Sequence, residues 1–389
     1  MRSEPNYNTI PVGQLGIIAL PGCEELANKI DNYLIRWRFQ RNSEHKDTLA
    51  FAGYEKSTYL INMDFPRFGT GEGKAALNQT VRGYDIYILC DVFNYGVTYK
   101  MYGITVPMSP DEHFANLKRA ISAIEGKAKR VSVIMPMLYE GRQHKRSSRE
   151  SLDCAMMLQE LHNMGVENFI TFDAHDPRVM NAIPLCGFES ISPAYQMIKA
   201  AVNNVDNLKI NKDNIMIISP DEGGMSRCIY YSTVLGVDLG MFYKRRDFSR
   251  IVDGRNPIIA HEFLGDNVEG KDVIIVDDMI SSGESMIEVA TKLKELKAAR
   301  IYIFSAFGLF CNGFDAFDKA FQEGIIDRVF TTNLIYGTPE LLSKDWYIRV
   351  DMSKYLSYII DTLNHDTSIS DLLDPAEKIN TLLERKGLK

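Results

Sequence analysis

The chain has 389 residues, enough for two or three domains, and its 44 basic and 51 acidic side chains give a net charge of −7. A hydrophobic share of 45% beside 24% charged residues is typical of a folded protein and excludes global disorder. The acidic balance argues against a dedicated nucleic-acid-binding protein, although it allows anionic substrates at a local basic cluster. The longest uncharged stretch apolar enough to test as a membrane span, residues 301–314, is shorter than the roughly 20 residues that such a span needs.

The N-terminal segment and the cysteines both favour a cytoplasmic protein. Residues 1–22 have no basic segment leading into a long apolar run, so we expect no cleaved secretion signal. The six cysteines are scattered without a CxxC pair, which favours reduced thiols over disulfides or a zinc site. We therefore expect a cytoplasmic location, with neither a membrane nor a nucleic acid as partner.

Short apolar runs bounded by Asp, Gly or Pro alternate with amphipathic helical patterns. Such runs are typical of strands that helices cover on both faces. Strands are predicted at 15–20, 86–89, 131–135, 169–172, 215–218, 273–276, 301–304 and 328–331. The clearest helix is predicted at 285–297, and the polar stretch 38–58 is predicted to be an extended loop. The alternation predicts an α/β fold with mostly parallel sheets flanked by helices.

A helix-to-strand junction at residues 127–134 is similar to a second one at 297–304, at an offset of 170 residues. Duplication of an α/β domain and chance similarity between two such units both explain this pattern. We predict an N-terminal domain at 1–190, a C-terminal domain at 191–350 and a helical tail at 351–389.

Residues 271–286 carry the richest set of ligand-binding side chains. A buried strand is predicted to end at Val276, and two carboxylates, three serines and a glycine follow before a helix begins. Backbone N–H groups and hydroxyls at a strand-to-helix turn bind anions, and carboxylates accept hydrogen bonds from sugar hydroxyls. The combination predicts a ribose-phosphate site formed by Asp277, Asp278, Ser281, Ser282, Gly283, Glu284 and Ser285. The alternative, in which these residues only cap the strand and the helix, needs one such residue rather than five.

This segment resembles the diphosphoribosyl-binding loop of the type I phosphoribosyltransferase fold. Five further segments, in the same order along the chain, resemble motifs of the ribose-phosphate pyrophosphokinases: 68–72, 138–146, 171–176, 219–227 and 243–246. The resemblance implies two similar phosphoribosyltransferase-like domains, each a mostly parallel sheet flanked by helices. It also implies transfer of the pyrophosphoryl group of Mg-ATP to the 1-hydroxyl of D-ribose 5-phosphate, with phosphoribosyl pyrophosphate and AMP as products.

The resemblance also implies roles for individual residues. It assigns ATP binding to Phe68, Thr70, Glu72, Arg142, Gln143, Lys145 and Arg149. It assigns catalysis to Lys244 and Arg246, and it assigns His175 and Asp221 to Mg²⁺. A histidine is an unusual ligand for this oxygen-preferring ion. The resemblance further implies that a neighbouring subunit donates the loop that carries Phe68, and hence a homo-oligomer, either a dimer or a higher assembly such as a hexamer.

The basic segments have a simpler alternative. Cations at 244–246 suit the charge that develops on a transferred phosphoryl group, and arginines at 142–146 suit phosphate binding. Either run could instead be a solvated surface patch. The alternatives to the synthetase are a phosphoribosyltransferase of base salvage and a non-catalytic regulatory paralogue.

Three features depart from the family pattern. Thr70 stands where Asp or Asn is usual, and Glu284 stands where Gly is usual, so that its carboxylate would repel phosphate unless it turns away. The chain is also longer than is typical, with extra residues near 39–60 and 91–112. The usual allosteric control therefore cannot be carried over.

Overall fold

The computed structural model describes residues 9–42, 49–146, 148–246 and 258–388, with the backbone alone for 42, 50, 244–246 and 258–261. The chain divides into two compact units. The first comprises Met1–Ser192, Asn333–Tyr336 and Asp351–Leu373. The second comprises Pro193–Thr332, Gly337–Val350 and Asp374–Lys389.

The described residues form sixteen strands and eleven α-helices. The strands are β1 (Gln14–Ala19), β2 (Met63–Asp64), β3 (Ala76–Leu77), β4 (Tyr84–Leu89), β5 (Thr98–Met101), β6 (Ile104–Pro107), β7 (Arg130–Ile134), β8 (Asn168–Phe172), β9 (Gly187–Ile191), β10 (Ile215–Ser219), β11 (Asp238–Arg246), β12 (Ile258–Leu264), β13 (Asp272–Ile280), β14 (Ile301–Gly308), β15 (Arg328–Thr332) and β16 (Tyr347–Val350). The helices are α1 (Glu24–Asn42), α2 (Pro110–Ile124), α3 (Asp153–Asn163), α4 (Ala194–Asn204), α5 (Met225–Leu235), α6 (Glu284–Glu295), α7 (Asp315–Gln322), α8 (Pro339–Leu342), α9 (Ser353–Asn364), α10 (Ser370–Leu373) and α11 (Ala376–Arg385). Two short 3-10 helices lie at Leu49–Phe51 and Pro177–Ala182.

The first unit contains a five-stranded sheet with the order β1-β4-β7-β8-β9, in which every neighbouring pair is parallel. Its central strands are buried because their apolar runs face the sheet's covering elements on both sides. Parallel strands place all their carboxyl ends at one edge of the sheet. The loops that follow β7 and β8 therefore leave from the same edge.

The second unit contains a seven-stranded sheet with the order β12-β11-β10-β13-β14-β15-β16. All neighbours are parallel except β12, which runs antiparallel to β11. Its core includes Ile275 and Ile303 from the central strands and Leu293 from α6, none of which is exposed to solvent. The carboxyl ends of β10, β11 and β13 lie side by side at one edge.

All eight predicted strands are present, and the predicted helix at 285–297 is α6. Apart from β11, which lies between β12 and β10, the strands that were not predicted are edge or surface strands. β9 (GFESI) and β16 (YIRV) are half-exposed at the ends of their sheets, and β5 and β6 form an exposed two-stranded hairpin. Such strands have no continuous apolar run to detect.

The prediction of an extended loop at 38–58 is wrong at its start, because α1 continues to Asn42. Arg38 is buried in that helix, where its guanidinium donates to the carboxylate of Asp361. The polar residues around Arg38 look like a surface loop in the sequence. The sequence does not show that the partner of Arg38, Asp361, lies hundreds of residues away. At the other end of the stretch, the N–H of Ile17 in β1 donates to Tyr59 O, and Leu60 forms a parallel bridge with Ile17.

The helices that follow Val350 are α9, α10 and α11, and they divide between the two units rather than forming the predicted separate tail. In the first unit α9 packs against α1, and Trp37 stacks on Tyr358 with 4.3 Å between the ring centroids. In the second unit α11 packs against α4 and α5. The C-terminal helices thus complete the two units.

Every helix within the described ranges is too short or too polar to cross a bilayer.

Candidate active site

The carboxylates of Asp277 and Asp278 lie inside β13, which continues to Ile280 rather than ending at Val276 as predicted. Asp277 is in register with Ser305 of β14, and Ile280 is in register with Gly308. The strand is longer than its apolar run because β14 continues to pair with it. The two carboxylates are therefore held by sheet hydrogen bonding rather than by a flexible turn.

Arg227 in α5 lies beside both carboxylates. Its Nη1 is 3.5 Å from Asp277 Oδ1, and its Nη2 is 4.0 Å from Asp278 Oδ1. Burial raises the pKa of Asp277 well above its ordinary value, and the charge of Asp278 raises it further, whereas Arg227 opposes both effects. Arg227 was not among the predicted site residues, although it ends the motif at 219–227. The three side chains form a polar group suited to binding hydroxyls.

A tight turn connects β13 to α6. Gly283 adopts a φ of +86° directly before the helix, and a Cβ at this position would lie 2.2 Å from Phe317 Cε2. Ser281 and Ser282 in the turn are half-buried, and Ser281 O accepts a hydrogen bond of 2.8 Å from the N–H of Cys311. Only glycine satisfies both the backbone angle and the contact with Phe317. The packing therefore fixes the course of the turn.

Glu284 and Ser285 lie in the first turn of α6, where both are exposed. The Glu284 carboxylate accepts a hydrogen bond of 3.2 Å from Asn312 Nδ2, and its own N–H donates to Ser282 Oγ at 3.4 Å. An N-terminal helix turn carries partial positive charge and favours an anion. The hydrogen bond from Asn312 holds the Glu284 carboxylate.

A second turn follows β10 at the same edge of the sheet. Asp221 Oδ1 accepts hydrogen bonds from the N–H groups of Gly223 and Gly224 at 2.9 and 3.2 Å. Ser219 Oγ donates to Asp221 O at 2.7 Å. Because β10 and β13 are parallel neighbours, the Asp221 turn and the turn at Gly283 follow adjacent strand ends.

Lys244 and Arg246 lie in the last part of β11, the other parallel neighbour of β10. The backbone of Lys244 pairs with His261 of β12. Their side chains lie outside the part of the chain that the structure describes, so their predicted catalytic role stays a prediction. The strand itself ends at the same edge as the two turns.

In the first unit, the basic segment after β7 contacts the loop after β8. His144 Nε2 lies 3.6 Å from Asp176 Oδ2, and the rings of His144 and His175 are 5.3 Å apart. Arg142 and Gln143 are exposed, as are Lys145 and Arg149. The fold thus brings the predicted ATP segment together with His175 through His144, a residue that the sequence did not single out.

Phe68, Thr70 and Glu72 are exposed in a hairpin loop between β2 and β3, and Phe68 is 56% exposed. The Thr70 hydroxyl donates to Glu72 Oε2 at 2.9 Å, and the N–H of Phe68 donates to Glu72 O at 2.8 Å. The unusual Thr70 therefore orients the carboxylate of its neighbour.

Three family models match consecutive parts of the chain. Residues 15–165 match the N-terminal domain of ribose phosphate pyrophosphokinase, residues 188–308 match a phosphoribosyl transferase domain, and residues 250–374 match a phosphoribosyl synthetase-associated domain. The chain belongs to the ribose-phosphate pyrophosphokinase family. The resemblance carried by the sequence motifs is thus confirmed.

Curated relatives agree with this membership. The chain is 26% identical over 313 residues to a ribose-phosphate pyrophosphokinase of Vibrio parahaemolyticus, covering 79% of this chain and 90% of the relative. It is 27% identical over 307 residues to a protein of the same name from Shewanella oneidensis, covering 78% and 88% of the two chains.

A solved structure supports the fold. The crystal structure of phosphoribosylpyrophosphate synthetase from Mycobacterium smegmatis matches with a TM-score of 0.71 at 18% identity, covering 91% of this chain and 99% of the other. The predicted α/β class, with two phosphoribosyltransferase-like domains, is confirmed.

The two predicted metal residues of this family member lie in different units. His175 is exposed in the first, and Asp221 is half-buried in the second. Among the described residues, no group of three or more His, Cys, Asp or Glu side chains is arranged to hold a metal ion. Mg²⁺ is commonly bound by one or two protein groups together with water and phosphate oxygens. The Asp221 carboxylate, which the N–H groups of Gly223 and Gly224 hold in place, fits this mode of Mg²⁺ binding.

Proposed function

We propose that this chain transfers the pyrophosphoryl group of Mg-ATP to the 1-hydroxyl of D-ribose 5-phosphate, forming 5-phosphoribosyl 1-pyrophosphate and AMP. The observation that carries the proposal is the arrangement of Asp277, Asp278 and Arg227 directly before the turn at Gly283. This arrangement offers acceptors for adjacent hydroxyls beside a turn suited to phosphate. The names of the curated relatives also support it.

In this proposal the second unit binds the acceptor sugar. The carboxylates of Asp277 and Asp278 accept hydrogen bonds from the ribose hydroxyls. The 5-phosphate is bound by the hydroxyls and N–H groups of Ser281, Ser282, Gly283, Glu284 and Ser285. The hydrogen bond from Asn312 supports this assignment because it holds the Glu284 carboxylate.

The donor nucleotide is assigned to residues of the first unit, with the Phe68 loop supplied by a neighbouring subunit. Phe68 stacks on the adenine, while Thr70 and Glu72 contact its polar edge. The β- and γ-phosphates are assigned to Arg142, Gln143, Lys145 and Arg149. Their exposure after β7 supports the assignment because an α/β sheet binds ligands at the carboxyl ends of its strands.

The chemistry is an in-line displacement at phosphorus. The 1-hydroxyl oxygen forms a bond to Pβ as the bond from Pβ to the oxygen bridging Pα breaks. AMP leaves with that oxygen, and the hydroxyl proton passes to solvent. Lys244 and Arg246 stabilise the negative charge of the transition state, and no covalent enzyme intermediate is required.

Mg²⁺ is the proposed cofactor, with His175 and Asp221 as its protein ligands. When bound, the ion neutralises phosphate charge and orients the transferred group. The fixed carboxylate of Asp221 supports this choice. We further propose a cytoplasmic homo-oligomer, either a dimer or a higher assembly such as a hexamer.

The test is to incubate the purified protein with ATP, ribose 5-phosphate and Mg²⁺ and to measure AMP by chromatography. We expect AMP only when the sugar phosphate is present. In a parallel assay, phosphoribosyl pyrophosphate and a purine base replace the substrates. Nucleotide formed in that assay alone would identify a salvage phosphoribosyltransferase, and no product in either assay would indicate a non-catalytic paralogue.

A further inference from the structure

The β5–β6 hairpin lies in residues 91–112, one of the two segments expected from the resemblance to be extra in this chain. Its strands pair antiparallel, and Met101 is in register with Ile104. Tyr102 and Gly103 connect them with φ angles of +49° and +81°. Two such residues form the mirror-image turn that matches the twist of a hairpin. The segment is therefore an ordered element with a defined position rather than a disordered insertion.

This hairpin contacts the loop that carries Phe68 and Glu72. The N–H of Tyr102 donates to Gly69 O at 2.8 Å. A Cβ added to Gly71 would lie 2.8 Å from Met101 Sδ, so the Gly71 backbone packs closely against the Met101 side chain of the hairpin. The turn of the hairpin thus supports the tip of the loop.

Arg67, directly before Phe68, is the second connection. Its side chain is 9% exposed, and its Nη1 donates to Gly71 O at 2.9 Å. The same guanidinium lies over the ring of Tyr99 in β5, 4.8 Å from the centroid, which is a favourable cation–π geometry. One buried side chain therefore joins the loop to the hairpin.

The helix α2 completes the arrangement. Glu112 lies 3.7 Å from Arg67 and accepts a hydrogen bond from the Tyr99 hydroxyl. Arg67 Nη2 also donates to Asn116 Oδ1 at 3.3 Å. Loop, hairpin and helix are thus connected by Arg67, Tyr99 and Glu112. Phe68 and Glu72 remain exposed beside them.

We propose that Arg67 and the β5–β6 hairpin are positioning elements that hold the Phe68 loop in its nucleotide-binding geometry, so that this extra segment sets the affinity for ATP. The inference rests on the proposed function, which gives Phe68 and Glu72 to adenine. A loop held before binding loses less conformational entropy when the ligand arrives. Neither Arg67 nor Tyr99 needs to touch the nucleotide.

The test variant is Arg67→Ala, measured by steady-state AMP formation with each substrate varied in turn. We expect KM for ATP to rise about tenfold, as for the loss of one to two net hydrogen bonds. KM for ribose 5-phosphate and kcat at saturating ATP should change by less than about threefold, because the sugar site and the transferring group are untouched. If Arg67→Ala only damaged the fold, kcat and the fraction of active enzyme would fall, and KM for ATP would not rise selectively over KM for ribose 5-phosphate.

Graded and matched variants sharpen the test. Tyr99→Phe keeps the ring beneath Arg67 but removes the hydroxyl that donates to Glu112, so KM for ATP should lie between those of the wild type and Arg67→Ala. Arg36→Ala removes an exposed arginine whose guanidinium lies 5.4 Å from the Tyr33 ring on α1, and it should leave both KM values unchanged. If Arg67→Ala fails to fold, Gly103→Val is the alternative variant. It strains the turn of the hairpin but causes no clash, because no heavy atom lies within 4 Å of the added Cβ.

Calorimetric titration with α,β-methylene-ATP measures the same affinity without turnover. An unchanged Kd in a folded Arg67→Ala variant, or an equal rise in both KM values, would overturn the positioning role. Wild-type protein that binds the analogue but makes no AMP would instead refute the proposed reaction. The Kd of the variant would still decide the positioning role, so the two failures are distinguishable.

Discussion

The guanidinium of Arg38 donates two hydrogen bonds, of 3.0 and 2.9 Å, to the carboxylate of Asp361, 323 residues further along the chain. The side chains are 1% and 0% exposed. Burial alone would raise the pKa of Asp361, but Arg38 and Arg41 hold that pKa below its ordinary value. The pair connects α1 to α9 and therefore joins the C-terminal part of the chain to the first unit.

Replacing Asp361 should strongly destabilise the first unit. Asp361→Leu leaves two buried or partly buried guanidinium groups without their carboxylate, and we expect a loss of about 3–5 kcal/mol in the free energy of unfolding. Urea denaturation measures it. The double variant Arg38→Met/Asp361→Leu should recover part of the loss.

The control for this prediction is Lys29→Ala, which removes an exposed ion pair with Glu25 on α1. It should cost less than about 1 kcal/mol. Equal effects of Lys29→Ala and Asp361→Leu would show that the buried pair has no special role.

The turn at Gly283 should not accept any side chain. Gly283→Ala adds a methyl group against Phe317 and strains a backbone at a φ of +86°, so we expect a loss of about 1–3 kcal/mol in stability together with a weaker affinity for ribose 5-phosphate. Gly270→Ala is the matched control, because its φ is +75° but no heavy atom lies within 4 Å of the added methyl. It should cost stability alone, and a loss of sugar affinity in both variants would argue against a local role of the turn.

The raised pKa of Asp277 predicts a pH dependence of stability. The folded protein holds this proton more tightly than the unfolded chain, so the free energy of unfolding should fall as the pH rises from about 4 towards the folded pKa. The side chain in Asp277→Asn cannot ionise. The free energy of unfolding of this variant, relative to that of the wild type, should therefore be greater at pH 8 than at pH 5. Urea denaturation at both pH values measures the difference, and parallel curves for the two proteins would contradict it.

Lys244 is predicted to act on the transition state rather than on the bound substrate. Lys244→Ala should lower kcat by several orders of magnitude, with a much smaller change in the affinity for ribose 5-phosphate. Lys297→Ala, which removes an exposed ion pair with Glu269, is the control and should be active. A kcat near normal in Lys244→Ala would remove this residue from the mechanism.

Metal removal should abolish the activity. Exhaustive chelation is expected to stop AMP formation, and added Mg²⁺ should restore it, because the phosphate charge must be neutralised during transfer. Asp221→Asn should raise the Mg²⁺ concentration needed for half-maximal rate. Turnover that persists after chelation would refute the metal assignment.

Much of the fold could be predicted because its central strands have short apolar runs typical of a sheet covered on both faces. The runs at 131–135 and 273–276 are of this kind. The family could be predicted because each of its motifs consists of particular residue types at short spacing, and the motifs occur in the expected order along the chain. The same local logic predicted a site at Asp277 and Gly283, because both lie in one short motif.

The tertiary structure decided what depends on distant partners. Arg38 is accommodated in the buried part of α1 because Asp361 pairs with it, and the two residues are too far apart in sequence for any local pattern to connect them. In the second unit Arg227 lies beside Asp277, and in the first unit His144 lies beside Asp176, because neighbouring strand ends meet at one edge of each unit's sheet. Short-range spacing therefore determined which chemistry is present, whereas burial and pairing across hundreds of residues determined which side chains hold it in place.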